Sequence, residues 1–147
     1  MKARGYTSKQ MGDACEMLVA AELTLAEVPA MKMPDNWPGY DVIAQPRDTA
    51  PIRISVKSRT FKHGRDAYVE YNVNDRSFDW MAIVLLPGED QTNRRFFIFP
   101  KAISDVRFRR YGPETKNHNI TSVQVDEIAR VLPEFENNFR LSLTGKT

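Results

Sequence analysis

The sequence has few of the residues that build small metal and disulfide scaffolds. Cys15 is its one cysteine, and His63 and His118 are its two histidines. One cysteine excludes a disulfide framework and a CxxC metal motif within the chain. The two histidines lie far apart, and neither is assigned to a metal. Long hydrophobic runs are missing as well. The longest runs, such as MAIVLL at Met81–Leu86, fall well short of the roughly 20 apolar residues that a membrane-spanning helix needs. Nor does charge of one sign dominate. Twenty-one Lys and Arg face 19 Asp and Glu, a net charge of +2, which by itself is weak evidence for a nucleic-acid partner. The opening MKARGYTSKQMGDACEM holds no apolar h-region, so no signal peptide is read there. A reducing, cytoplasmic location without a membrane partner is expected.

What is present suits a globular chain. Hydrophobic residues make up 41% of the 147 positions and charged residues 27%, which fits one compact domain over residues 1–147 with a real core. YTSKQMGDACEMLVAAELTLAEV reads as a first helix, with Thr7, Ser8 or Asp13 as the cap. Its apolar residues cover more than one face, so it is expected to be mostly buried. MKMPDNWPGY reads as loop. YDVIAQ is a short strand and PRDTAP a turn. IRISVKSR is the cleanest strand, with Ile52, Ile54 and Val56 on one side and Arg53, Ser55, Lys57 and Arg59 on the other. AYVEYNV and WMAIVLL are further strands, the second apolar throughout and therefore central. PGEDQTN links it to RRFFIFP as a hairpin. RFRRYGPETKNHN reads as a basic loop, and SVQVDEIARVLPEF as a short helix broken near Pro133. This order gives an α+β fold with one mixed sheet and helices packed on it.

Three polar positions stand out: Glu16 on the helix, Asp41 on a strand and Lys57 on the next strand. Ser55 shares the face of Lys57. Fourteen positions separate Asp41 from Ser55, which suits two adjacent strands joined by the turn. Each residue alone has an ordinary reading, as a strand cap, a solvated strand lysine or a surface helix charge. Their combination fits phosphodiester hydrolysis. A carboxylate holds a hard divalent cation such as Mg²⁺. The cation lowers the pKa of a bound water and offsets phosphate charge. A lysine orients the water or stabilises developing charge.

GDACEMLVAAEL with Glu16, GYDVIA with Asp41 and RISVKSRT with Lys57 resemble the three motifs of the PD-(D/E)XK, or restriction-endonuclease-like, nuclease superfamily. The nearest flavour is that of intron-type homing endonucleases and Holliday-junction-resolvase-like members. The resemblance spans roughly Gly12 to Leu143, and its motifs lie within Gly12 to Thr60. It implies an α/β/α sandwich-like core with a mixed central sheet. It also implies a Mg²⁺-dependent DNA endonuclease that works as a homodimer or homotetramer. Glu16, Asp41, Ser55 and Lys57 would be catalytic, with Asp41 and Glu16 as the metal ligands. Two departures are plain. Ser55 occupies the acid or Gln position of the third motif, and Tyr40 rather than proline precedes Asp41. A neutral hydroxyl is a poor Mg²⁺ ligand beside a carboxylate; Glu70, in YVEY, is a candidate replacement.

Around the strand, Arg53, Ser58, Arg59, Lys62 and Arg65 are candidate phosphate contacts, because basic and hydroxyl residues beside a site strand are placed to hold a nucleic-acid backbone. Arg107–Tyr111, RFRRY, is a second basic-aromatic cluster that either grips a strand or flanks a helix. Trp37 and Trp80 read as packing residues, and Cys15 as a small buried apolar residue. A second class of function stays open: a nuclease fold whose catalysis is lost at Ser55 and which binds nucleic acid or serves an assembly. A third is a small sheet protein without a nucleic-acid role.

Overall fold

The computed structural model describes residues 4–146. Helix α1 runs Ser8–Leu25. Of the three candidate caps, Thr7 is used. Its hydroxyl accepts from Gln10 N–H, and the Gln10 side chain accepts from Thr7 N–H in return. This capping box satisfies two backbone donors that the first turn leaves without partners. Met11, Cys15, Val19, Ala20 and Leu23 are buried along α1.

The chain then forms β1 (Ala30–Lys32), β2 (Val42–Ala44) and β3 (Ile52–Thr60). Next come β4 (Tyr68–Asn72), β5 (Trp80–Leu86) and β6 (Arg95–Pro100). Helix α2 (Lys101–Arg107), β7 (Arg109–Arg110), β8 (Ile120–Gln124) and α3 (Ile128–Val131) complete it. The main sheet has the order β1-β2-β3-β5-β6. Only β3 and β5 pair in parallel; the other neighbours are antiparallel. The mixed sheet flanked by helices is the expected α+β architecture, and β5 is buried and interior as its apolar sequence requires.

Three expectations are corrected. AYVEYNV does not join the main sheet. As β4 it pairs with β8, and β7 closes a second three-stranded sheet, β4-β8-β7. The stretch read as a C-terminal helix begins as β8, passes through a 3-10 turn at Val125–Glu127, and keeps one helical turn in α3. Alternating burial from Ile120 to Gln124 marks a strand with one covered face, and Val and Thr there favour it. Ala30–Lys32, in part assigned to a loop, is an edge strand too short to show a period.

The main sheet carries a core on each face. Val42, Ala44, Ile54, Ala82, Val84 and Ile98 pack with α1. Met81, Ile83, Leu85, Phe97 and Phe99 pack with the second sheet, α3 and Phe135. Ile52 and Val56 join Ile54 on the α1 side, so Arg53, Ser55, Lys57 and Arg59 face the other way, as the alternation predicts. The C-terminal segment is tied to β6. Arg95 forms two 2.7 Å bonds to Glu136, and Asn138 Nδ2 donates to the Ile98 carbonyl at 3.1 Å.

Leu23 is 0% exposed and anchors α1 on the sheet, whereas Met17 is 55% exposed. Leu23→Ala is expected to cost about 2–5 kcal/mol by removing buried methyl groups and leaving a cavity. Met17→Ala should change stability by less than about 0.5 kcal/mol. Urea unfolding midpoints at an unchanged slope check both.

Candidate active site

Asp41 sits immediately before β2, and its backbone N–H donates to the Ile54 carbonyl at 3.0 Å. Its Oδ2 accepts from the Val56 N–H at 2.8 Å. The carboxylate is thereby held on β3 at the residue between Ser55 and Lys57. Gly39 sets up this approach. It lies at φ +94°, a conformation that favours glycine. A Cβ there would stand 2.5 Å from the Ser77 Cβ. The Ser77 hydroxyl lies between two acceptors, the Gly39 carbonyl at 2.9 Å and Asp75 Oδ1 at 2.6 Å, so the loop before β2 meets the turn before β5 there.

Glu16 and Asp41 line one cleft of about 220 Å³, bounded by α1 and the 33–41 loop. Asp13 and Asp35 add two more carboxylates, against Lys9 and Lys32. Lys32 is the functional candidate that the sequence concealed. From the short edge strand β1 its Nζ lies 3.3 Å from Glu16, 3.6 Å from Asp35 and 3.8 Å from Asp13. Nothing in MKM signals this, since the contact joins α1 to a strand of three residues. Burial pushes the Glu16 carboxyl above its ordinary range, the charge of Asp41 pushes it further, and Lys32 pulls it back in part. Burial depresses Lys32, but Glu16, Asp13 and Asp35 together outweigh that and raise its pKa.

Ser55 and Lys57 do not line this cleft. Their pairing partners on β5 are Met81 and Ile83, which belong to the second core, so both side chains sit on that face. Ser55 is buried and Lys57 half-buried. Among the described residues no carboxylate lies within ion-pair distance of Lys57. Its charge still contributes to lowering the Asp75 pKa, behind the larger effect of the Ser77 hydroxyl. Glu70 is exposed on β4, opposite Ser122 in the second sheet; it is not on a strand beside β3. Among the described residues no group of three or more His, Cys, Asp or Glu side chains forms a metal cluster.

The basic candidates divide. Arg53 is committed to Asp79, with bonds of 2.9 and 3.1 Å. Arg59 is half-buried and donates to the carbonyls of Tyr68 and Ser58; burial lowers its pKa. Ser58 turns toward Cys15. Lys62 and Arg65 remain exposed.

Comparison with known proteins agrees on the fold. The chain superposes on a bacterial homing endonuclease with a TM-score of 0.53 at 16% identity, over 81% of this chain and 78% of that one. A Holliday junction resolvase from the archaeon Archaeoglobus fulgidus aligns over 83% of this chain and 87% of its own, at 17% identity and a TM-score of 0.49. The sequence matches no protein-family model, and no curated protein matches it. The superposition on the homing endonuclease shows the fold to be restriction-endonuclease-like.

Because Glu16 is harder to ionise in the folded chain, it contributes stability that is complete below its ordinary value of 4.5 and is lost as pH rises through the higher folded value. Relative to wild type, Glu16→Gln should therefore gain stability as pH rises above 4.5. Urea midpoints of both proteins from acid to neutral pH give the difference. A constant difference across that range would refute the assignment.

Proposed function

We propose that the protein is a DNA endonuclease that hydrolyses phosphodiester bonds with Mg²⁺. The observation that carries this reading is the Asp41 carboxylate. It shares a cleft with Glu16 and is bonded at 2.8 Å to the backbone of the Ser55-x-Lys57 strand, in a restriction-endonuclease-like fold. The residues fit the metal. Mg²⁺ is commonly held by one or two carboxylates, with water and substrate phosphate completing its shell, and Glu16 and Asp41 supply two. When bound, Mg²⁺ acidifies a water and offsets phosphate charge. Asp41 fixes the position of β3 beside that place. Among the described residues Lys57 has no carboxylate within ion-pair distance, but its side chain lies on the second-core face of β3 and not in the cleft. As the residue that would stabilise charge developing on the phosphate, it has to meet the substrate from that side. Ser55, buried on that same face, supplies no third carboxylate to the cleft.

A second reading is a nuclease fold that binds nucleic acid without cutting it, and one contact favours it. The Lys32 ammonium, 3.3 Å from Glu16, already supplies a positive charge to that carboxylate. Assembly into a homodimer or homotetramer belongs to either reading.

Wild type and Lys57→Ala should be compared on supercoiled plasmid and on single-stranded DNA, with Mg²⁺ and then Mn²⁺. The expected result is cutting by wild type, lost in the variant without a change in melting temperature. Retained cutting by Lys57→Ala would remove that residue from the mechanism. Absence of cutting with salt-sensitive DNA binding selects the second reading. Ser55→Glu restores the third carboxylate of the motif, but on the buried face away from the cleft. Calorimetric titration should show unchanged Mg²⁺ affinity, and a tightening on the order of tenfold would show that position 55 reaches the metal.

A further inference from the structure

The outward face of the second sheet is unusual for a solvated one. Antiparallel sheets that face water normally present polar side chains there. Here Tyr68 and Tyr111 are 43% and 44% exposed, and they border a concave surface of about 510 Å³ with Arg65, Arg107, Arg109 and Arg130. Glu127 is the one acid in that lining. Arg107 is held by Glu134, and Arg130 by Glu127. Arg65 and Arg109 have no ion-pair partner among the described residues. The cleft of Glu16 and Asp41 has the opposite balance, four carboxylates to two lysines. A polyanion is therefore drawn to the arginine face and repelled by the carboxylate cleft where no metal is bound.

Register places Tyr68 and Arg109 on one side of the pleat, together with the exposed Glu70. Tyr68 stands opposite Gln124, and Arg109 stands opposite Ser122, while Val69, Tyr71 and Val123 turn inward to the second core. The face also connects to the candidate site. Arg59, two residues beyond Lys57 on β3, donates to the Tyr68 carbonyl at 2.9 Å. Aromatic rings on an open sheet gain little from a duplex, whose base faces are hidden. They gain from bases that are free to stack, while arginines follow the phosphates.

We propose that this face binds a single-stranded nucleic-acid segment, with bases stacked on Tyr68 and Tyr111 and phosphates on Arg65 and Arg109. The inference deepens the nuclease reading and rests on its nucleic-acid substrate. It gives the protein a second contact, outside the carboxylate cleft, that recognises an unpaired strand.

The test is fluorescence anisotropy of a labelled oligothymidylate in metal-free buffer at several salt concentrations, with a labelled duplex hairpin for comparison. Tyr68→Ala/Tyr111→Ala should weaken oligothymidylate binding about tenfold or more through the loss of two stacked bases. It should leave hairpin binding within about twofold, an effect too small to count as a stacking loss. Tyr68→Phe/Tyr111→Phe should bind as wild type does. Arg65→Gln/Arg109→Gln should reduce the salt slope by about 1.4, at ~0.7 per neutralised phosphate on a single strand. If the alanine pair melts early, Tyr68→Leu/Tyr111→Leu keeps the apolar bulk without the ring and replaces it. Equal oligothymidylate affinity in wild type and in the folded tyrosine variants overturns the inference. If wild type still cuts plasmid in that case, the nuclease reading survives alone. If wild type neither cuts nor binds plasmid or oligothymidylate, both fall.

Discussion

Strand β5 is apolar from Met81 to Leu85 and almost wholly buried, so both faces of the main sheet must be covered. Everything else in the fold answers that requirement. α1 covers one face through Cys15, Val19 and Leu23. The second sheet and the C-terminal turns cover the other through Val69, Val123, Ile128 and Phe135. β3 is the neighbour that pairs with β5 in parallel. It puts Ile52, Ile54 and Val56 under α1 and leaves Ser55 and Lys57 on the opposite face. The candidate chemistry thus sits on a strand whose position is dictated by packing on both sides.

The polar groups are distributed with equal economy. Carboxylates gather where α1 meets the loop before β2, with Lys32 set among them. Arginines gather on the far side, around β7 and the end of α2. The mild net charge of +2 hides this division, because it averages over an acidic cleft and a basic face. A phosphate backbone needs the second, and a divalent cation needs the first. Asp41 is bonded to the sheet backbone at the edge of the acidic cleft.

Much of this was readable in the sequence, for reasons particular to each element. α1 announced itself through the cap candidates Thr7, Ser8 and Asp13 and a run of strong helix formers, while the Thr7–Gln10 box emerged only from the structure. β3 did so through strict alternation from Ile52 to Arg59, and β5 through an unbroken apolar run. The turn joining β2 to β3 was fixed by its two prolines. What stayed hidden depends on partners distant in the chain. β4 and β8 are separated by nearly fifty residues, and period alone does not say which sheet a strand enters. Arg53 and Arg59 looked available for phosphate, yet Asp79 claims one and the Tyr68 carbonyl the other. Lys32 had no signal at all, because its partners lie on α1 and in the loop after β1.

The Gly39–Ser77 contact has a kinetic side. It joins residues 38 positions apart, and the Arg53–Asp79 pair beside it spans 26. The capping box of α1 closes over three residues. Closing a long loop spends chain entropy before any contact repays it. The helix that carries Glu16 can therefore organise early, while the loop that aims Asp41 waits for the turn before β5 to arrive. Glu16 and Asp41 thus rest on contacts of very different reach along the chain.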